Sequence, residues 1–145
     1  MRHKNVIKFF ERLESPNHYL FFMEVCQGGD LLKYIRRRRR IIENTAKYLF
    51  KQIILAIGYI HSKNVIHRDI KLENILIDNE GIVKVADFGI SKETKIENDH
   101  KLKDRAGTLA YMAPEMLSKQ IRREGYTAAV DIWAAGVVLF VMIYG

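Results

Sequence analysis

The 145-residue chain is 48% apolar and 28% charged, a balance that suits one folded domain and excludes a disordered segment. Lys and Arg number 24 against 17 Asp and Glu, a net +7, but five of the cations form the single run Arg36 to Arg40 and the rest balance to +2. The lone cysteine, Cys26, excludes an intrachain disulfide and a cysteine metal cluster, and it fits a reducing compartment.

The basic run has no aromatic platform or groove-entering motif beside it, so nucleic acid is not an expected partner. A solvated face is the favoured reading of these arginines, and docking of an acidic partner is the alternative. No signal-peptide pattern follows Met1. The uncharged stretch Ile132 to Tyr144 is shorter than the roughly 20 residues a spanning helix needs. A core helix, no membrane, and an intracellular, cytoplasmic location are therefore expected.

In chain order, Val6 to Phe10 and Tyr19 to Val25 are rich in β-formers, and Ser15-Pro16-Asn17 between them has turn chemistry, which predicts a hairpin. Gln27-Gly28-Gly29 breaks the second strand, and Asp30 can cap a short helix from Leu31. After the arginines comes the clearest helix. Asn44 or Thr45 can cap it, and Ala46, Leu49, Phe50, Ile53, Ile57 and Ile60 recur at three- and four-residue steps. It should end near Asn64 in a left-handed cap.

A loop, 65–73, leads to Ile75-Leu76-Ile77 and Ile82 to Val85, with the reversal Asp78-Asn79-Glu80-Gly81 between them. Residues 90–112 read as one long loop, and an apolar helix closes the chain. The second hairpin makes a geometric prediction. Its turn centres near Glu80, so Asn74 and Asp87 should meet at the same end, with Asp69 in the adjoining loop. These are oxygen donors of the type that suits Mg²⁺. On this evidence alone, turn and cap residues are the favoured reading.

The literal sequence goes further. His67-Arg68-Asp69-Ile70-Lys71-Leu72-Glu73-Asn74 resembles the catalytic loop of eukaryotic serine/threonine protein kinases. Asp87-Phe88-Gly89 resembles the metal-binding motif that follows it, and Ala113-Pro114-Glu115 closes the intervening segment. Asp131-Ile132-Trp133 with Gly136 is similar to the start of the family's central helix, and the likeness to the calcium/calmodulin-dependent group covers essentially the whole chain.

The resemblance implies roles residue by residue. Asp69 would accept the substrate hydroxyl proton, Lys71 would steady the γ-phosphate, and Thr108 would bond both; Asn74 and Asp87 would hold Mg²⁺. The first hairpin would form the hinge around ATP. There Met23 would be the gatekeeper, the backbones of Glu24 and Cys26 would bond adenine, and Leu76 would lie beneath the purine. Asp30 would reach the ribose or a substrate arginine. The plainer alternatives are core packing for Met23 and Leu76 and a helix cap for Asp30. His67 reads as a structural post, and His3, His18, His61 and His100 have no ligand spacing. Arg68 would be countered by an anion on the long loop. The position where the group carries its phosphorylated residue is Asp104, with Ser91 and Thr94 as other phosphosites.

The implied fold is α+β and protein-kinase-like: mainly the helical C-lobe, with two small β-hairpins and most of the N-lobe and the C-terminal helices absent. Residues 1–26 would be a remnant of the N-lobe with the hinge, and 27–145 a partial C-lobe. No G-x-G-x-x-G and no phosphate-gripping lysine with its glutamate partner is found in these residues. The implied function is ATP- and Mg²⁺-dependent transfer to Ser/Thr hydroxyls of protein substrates in the complete protein. The alternative is a truncated, non-catalytic relative acting as a binding or regulatory module. Asp30 and Glu73 point to basic substrate sequences, and the oligomeric state is not encoded.

Overall fold

The computed structural model describes residues 1–94, 101–118 and 124–145. His100 lies outside them. The first hairpin pairs β1 (Phe9–Ser15) with β2 (His18–Met23) around the Pro16-Asn17 turn. It starts later than the sequence pattern suggests, because Val6 and Ile7 join a different sheet. Ile7 N–H donates to the Val85 carbonyl and Val85 N–H to the Asn5 carbonyl, both at 2.9 Å. Burial explains the preference: Val6 and Ile7 enter the core, whereas every residue of β1 and β2 is exposed.

Gly28 then passes so close to the second hairpin that a Cβ would stand 2.6 Å from the Ile77 carbonyl oxygen. This contact admits β3 (Gly29–Asp30) beside β5 (Ile75–Ile77), with Asp30 opposite Leu76. Asp30 also caps α1 (Leu31–Arg38), accepting from Lys33 N–H at 2.8 Å. Arg36 to Arg40 are exposed and form no ion pair with the described residues; Arg38 stacks over Tyr34 at 3.9 Å.

The long helix α2 (Glu43–His61) begins with Ile42 at its cap and no side-chain cap bond, two or three residues earlier than Asn44 or Thr45 would place it. Its apolar face packs on α4 (Ala129–Tyr144), and the two helices supply half of the buried residues of the main core. Asn64 follows in the left-handed conformation, φ 55°. The stretch expected as loop contains β4 (Val65–Ile66), which pairs antiparallel with β7 (Lys92–Glu93) inside the other expected loop. Strands of two residues have no periodicity to read.

β5 pairs with β6 (Val83–Val85) in the register Ile75–Val85, Leu76–Lys84 and Ile77–Val83, centred on position 80. Two 3₁₀ turns, Leu72–Asn74 and Leu109–Tyr111, and the short helix α3 (Pro114–Leu117) complete the described elements. No helix among the described residues is long and apolar enough to cross a membrane.

Two apolar surfaces are left open. One is the hairpin, including Phe9, Phe10, Phe21 and Phe22. The other is the outer face of α4, with Ile132, Trp133 and Phe140 around an apolar groove. Two-stranded ribbons are marginal alone, and patches of this kind drive association. Residues 1–145 expressed by themselves are therefore expected to self-associate and, with no G-x-G-x-x-G among them to cover the phosphates, to bind Mg·ATP more weakly than micromolar. Light scattering and calorimetry check this; a monodisperse monomer with micromolar affinity would refute it.

Candidate active site

The loop carrying Asp69 is fastened from below by α4. Asp131, 1% exposed, accepts from the backbone N–H of His67 at 2.9 Å and of Arg68 at 2.8 Å, and its Oδ2 also meets His61 Nε2 at 2.8 Å. His67 is fully buried and tilts against Phe88. Burial lowers its pKa, so the ring is neutral, and the partners fix the tautomer. Nε2–H donates to the Ala86 carbonyl at 3.1 Å, and Nδ1 accepts from Asp69 N–H at 3.3 Å. His67 is a post between the two motif-bearing loops.

Arg68 then takes φ 70°, a left-handed conformation that costs of order 1–3 kcal/mol for a non-glycine residue. The bonds to Asp131 hold it there. The crossing loop contains Gly107 at φ 111°, where a Cβ would collide with the Arg68 carbonyl oxygen.

Asp69 is the hub. Its side chain is 11% exposed. Oδ1 accepts from Thr108 Oγ1 at 2.7 Å and Thr108 N–H at 3.1 Å; Oδ2 accepts from Asn74 Nδ2 at 3.0 Å and pairs with Lys71 Nζ at 2.7 Å. Lys71 also donates to Thr108 Oγ1 at 3.0 Å. Burial alone would raise the Asp69 pKa, but the bonds from Lys71 and Thr108, with the Lys71 charge, hold it below the ordinary carboxylate value. The Asp69 partner in turn raises the Lys71 pKa. Asp69 is thus a fixed anion with two donors on each of its oxygens.

Asn74 is buried and also donates Nδ2 to the Asp69 carbonyl at 2.9 Å, while its own carbonyl accepts from Ala86 N–H at 2.9 Å. That bond sets Asp87 one residue beyond Asn74's partner, at the same end of the hairpin. Asp87 is exposed with φ 64°, accepts from Gly89 N–H at 3.2 Å, and forms no ion pair among the described residues, although its charge contributes to raising the Lys71 pKa. No group of three or more His, Cys, Asp or Glu is arranged to hold a metal among those residues. An amide plus one carboxylate is a partial ligand set.

Met23 and Asp87 line one open cleft of about 630 Å³, together with Ile7, Phe9, Phe21 and Phe88. Glu24 is held between Lys8 N–H at 2.6 Å and Lys84 Nζ at 3.1 Å. Cys26 is half-buried, and burial pushes its thiol pKa up. Leu76 and Asp30 sit opposite one another on β5 and β3, outside the lining of that cleft. Asp30 is already engaged by its cap bond and by Lys33 Nζ at 3.0 Å.

The regulatory candidates are in contact: Arg68 Nη1 donates to Asp104 Oδ2 at 2.7 Å. Sequence reasoning missed Asp131 as the anchor, and also His61, Lys92 and Tyr126. A usable signal for Asp131 was present, namely one acid at the head of an otherwise uncharged helix.

The sequence matches the family described as protein kinase domain over residues 1–145. It is 40% identical over 144 residues to the carbon catabolite-derepressing protein kinase of Secale cereale, covering 99% of this chain and 28% of that one. It is 41% identical over 147 residues to the serine/threonine-protein kinase SAPK4 of Oryza sativa subsp. japonica, covering 100% and 39%. It is 41% identical over 148 residues to the rice CBL-interacting protein kinase 11, covering 100% and 28%. The chain therefore belongs to the protein kinase domain family, on its serine/threonine side, with an α+β partial kinase fold. It spans well under half the length of these curated relatives.

Proposed function

We propose that the protein containing these residues is a serine/threonine kinase that transfers the γ-phosphoryl group of ATP to hydroxyls of protein substrates. The observation that carries this reading is the closed ring of Asp69, Thr108 and Lys71, with Asn74 donating to it from outside, in which a nearly buried carboxylate is bonded on both oxygens and held ionised by its partners. A ring of this kind orients a base and supplies a cation beside it, which suits a reaction governed by positioning and charge neutralisation.

In the proposed step, the substrate hydroxyl oxygen forms a bond to the γ-phosphorus, the bond to the ADP oxygen breaks, and the hydroxyl proton passes to Asp69. Lys71 balances charge on the phosphoryl oxygens. The donor set fits Mg²⁺, which favours one or two protein oxygens completed by phosphates. Among the described residues Asp87 offers a carboxylate that forms no ion pair, and Asn74 makes its side-chain bonds through Nδ2, leaving Oδ1 as an acceptor. Mg²⁺ would supply charge neutralisation across the phosphates.

Met23 and the backbones of Glu24 and Cys26 would border the nucleotide, whereas Leu76 lies outside the lining of the cleft that Met23 and Asp87 share. Glu73, exposed and without an ion pair among the described residues, is the better placed of the two acids to meet a basic substrate, because Asp30 already has Lys33. The single free thiol suits an intracellular setting.

The test uses the full-length protein with ATP, Mg²⁺ and a Ser/Thr peptide. Asp87→Asn is expected to weaken Mg²⁺-dependent nucleotide binding by at least about tenfold, roughly 1.4 kcal/mol, with Mg²⁺-free binding unchanged. Full-length protein that binds a partner but transfers no phosphate would favour the non-catalytic reading.

A further inference from the structure

The guanidinium of Arg68 is nearly buried, its side chain 7% exposed, so it needs compensation from the protein around it. It has three partners. Nε donates to the Ile90 carbonyl at 2.7 Å, and Nη1 donates to Asp104 Oδ2 at 2.7 Å and to Tyr126 Oη at 3.1 Å. The other Asp104 oxygen pairs with Lys92 Nζ at 3.2 Å, and Tyr126 Oη donates to the Asp104 carbonyl at 2.9 Å. One carboxylate thus bridges Lys92 on β7 to Arg68 in the loop after β4, and together with the Arg68 bond to Ile90 it ties positions 90, 92 and 104 to the residue immediately before Asp69. Lys92 is also in register with Ile66, so the clasp continues the β4–β7 pairing.

No phosphorylated side chain is available to take that place. Residues 95–107 contain no Ser, Thr or Tyr. The flanking hydroxyls are engaged elsewhere: Ser91 Oγ donates to the Phe88 carbonyl at 2.8 Å, Thr94 Oγ1 to the Asn64 carbonyl at 3.1 Å, and Thr108 Oγ1 to Asp69. The anion facing Arg68 is built into the sequence.

We infer that Asp104 is a permanent anionic pin that holds the segment after Asp87-Phe88-Gly89 onto the Asp69 loop, so that the kinase works without a phosphoryl group on that segment. The inference rests on the catalytic reading above. Asp104 acts as a positioning residue, through Arg68 and Lys92. A carboxylate carries about half the charge of a phosphoryl group near pH 7, so the ordering is partial.

The experiment compares phosphatase-treated full-length wild type with Asp104→Ala and Asp104→Glu. It measures kcat, the KM for ATP, and amide exchange over residues 65–70, 90–94 and 102–108. Wild type should keep its rate after phosphatase. Asp104→Ala should lose about fivefold in kcat, equivalent to about 1 kcal/mol, with KM for ATP within twofold and faster exchange in all three segments. Asp104→Glu should recover most of both. Unchanged kcat in Asp104→Ala, unchanged exchange, or wild-type activity lost on phosphatase treatment would each overturn the inference. If no variant transfers phosphate but exchange loosens in Asp104→Ala and recovers in Asp104→Glu, the pin stands and the catalytic reading falls.

Discussion

Asp69→Asn in the full-length protein is expected to lower kcat by about three orders of magnitude while leaving nucleotide affinity within about twofold. Asparagine keeps the shape and can still accept from Thr108, but it cannot take a proton, and a positioned general base contributes typically 10²–10⁴-fold. It also removes the charge that pairs with Lys71, so the loss should not fall below that range. The pH dependence has a definite sign. Asp69 titrates below the ordinary carboxylate value, so its ionised form, and the stability its partners confer, are complete above that ordinary value and lost only as pH falls through the lowered one. No acid limb attributable to Asp69 should appear in kcat between about pH 5 and 8. Peptide phosphorylation by Asp69→Asn at near wild-type rate would remove Asp69 from the chemistry.

Asp131→Ala is expected to be strongly destabilising. It deletes the acceptor for two backbone N–H groups, those of His67 and Arg68, and the partner of His61, all beneath a 1%-exposed side chain. Each buried donor left unsatisfied costs about 1–3 kcal/mol, which places the total at about 3–5 kcal/mol. Thermal denaturation of the full-length protein should then show a fall in Tm of roughly 10 °C. Asp131→Asn keeps one acceptor oxygen and should cost about half as much. Because these bonds help to hold the left-handed backbone of Arg68, kcat should fall further than stability explains at temperatures where the variant remains folded. A Tm for Asp131→Ala within about 2 °C of wild type would show that other contacts fix the loop.

Local signals accounted for a good share of the fold. The reversal Asp78 to Gly81 placed the second hairpin's centre at position 80, because Asp78 caps its own turn, accepting from the N–H groups of Glu80 and Ile82. The Asp30 cap and the left-handed Asn64 were likewise encoded within a few residues of where they act. The first hairpin was legible in kind but misplaced in extent, since a β-former pattern does not say which sheet Val6 and Ile7 will join; the core decided that.

The sequence by itself determined the kinase resemblance, the helix at the centre, and the residues gathered at one end of the second hairpin, because literal motifs, helical spacing and turn chemistry act over short stretches of chain. Only the tertiary structure decided how those residues are held. Asp131 reaches His67 and Arg68 across more than sixty positions, Thr108 reaches Asp69 across 39, and Asp104 reaches Arg68 across 36. Contacts at such separation leave no periodic trace. They form because α4 must bury its apolar face against α2, and packing that face carries Asp131, at the head of α4, beneath the Asp69 loop.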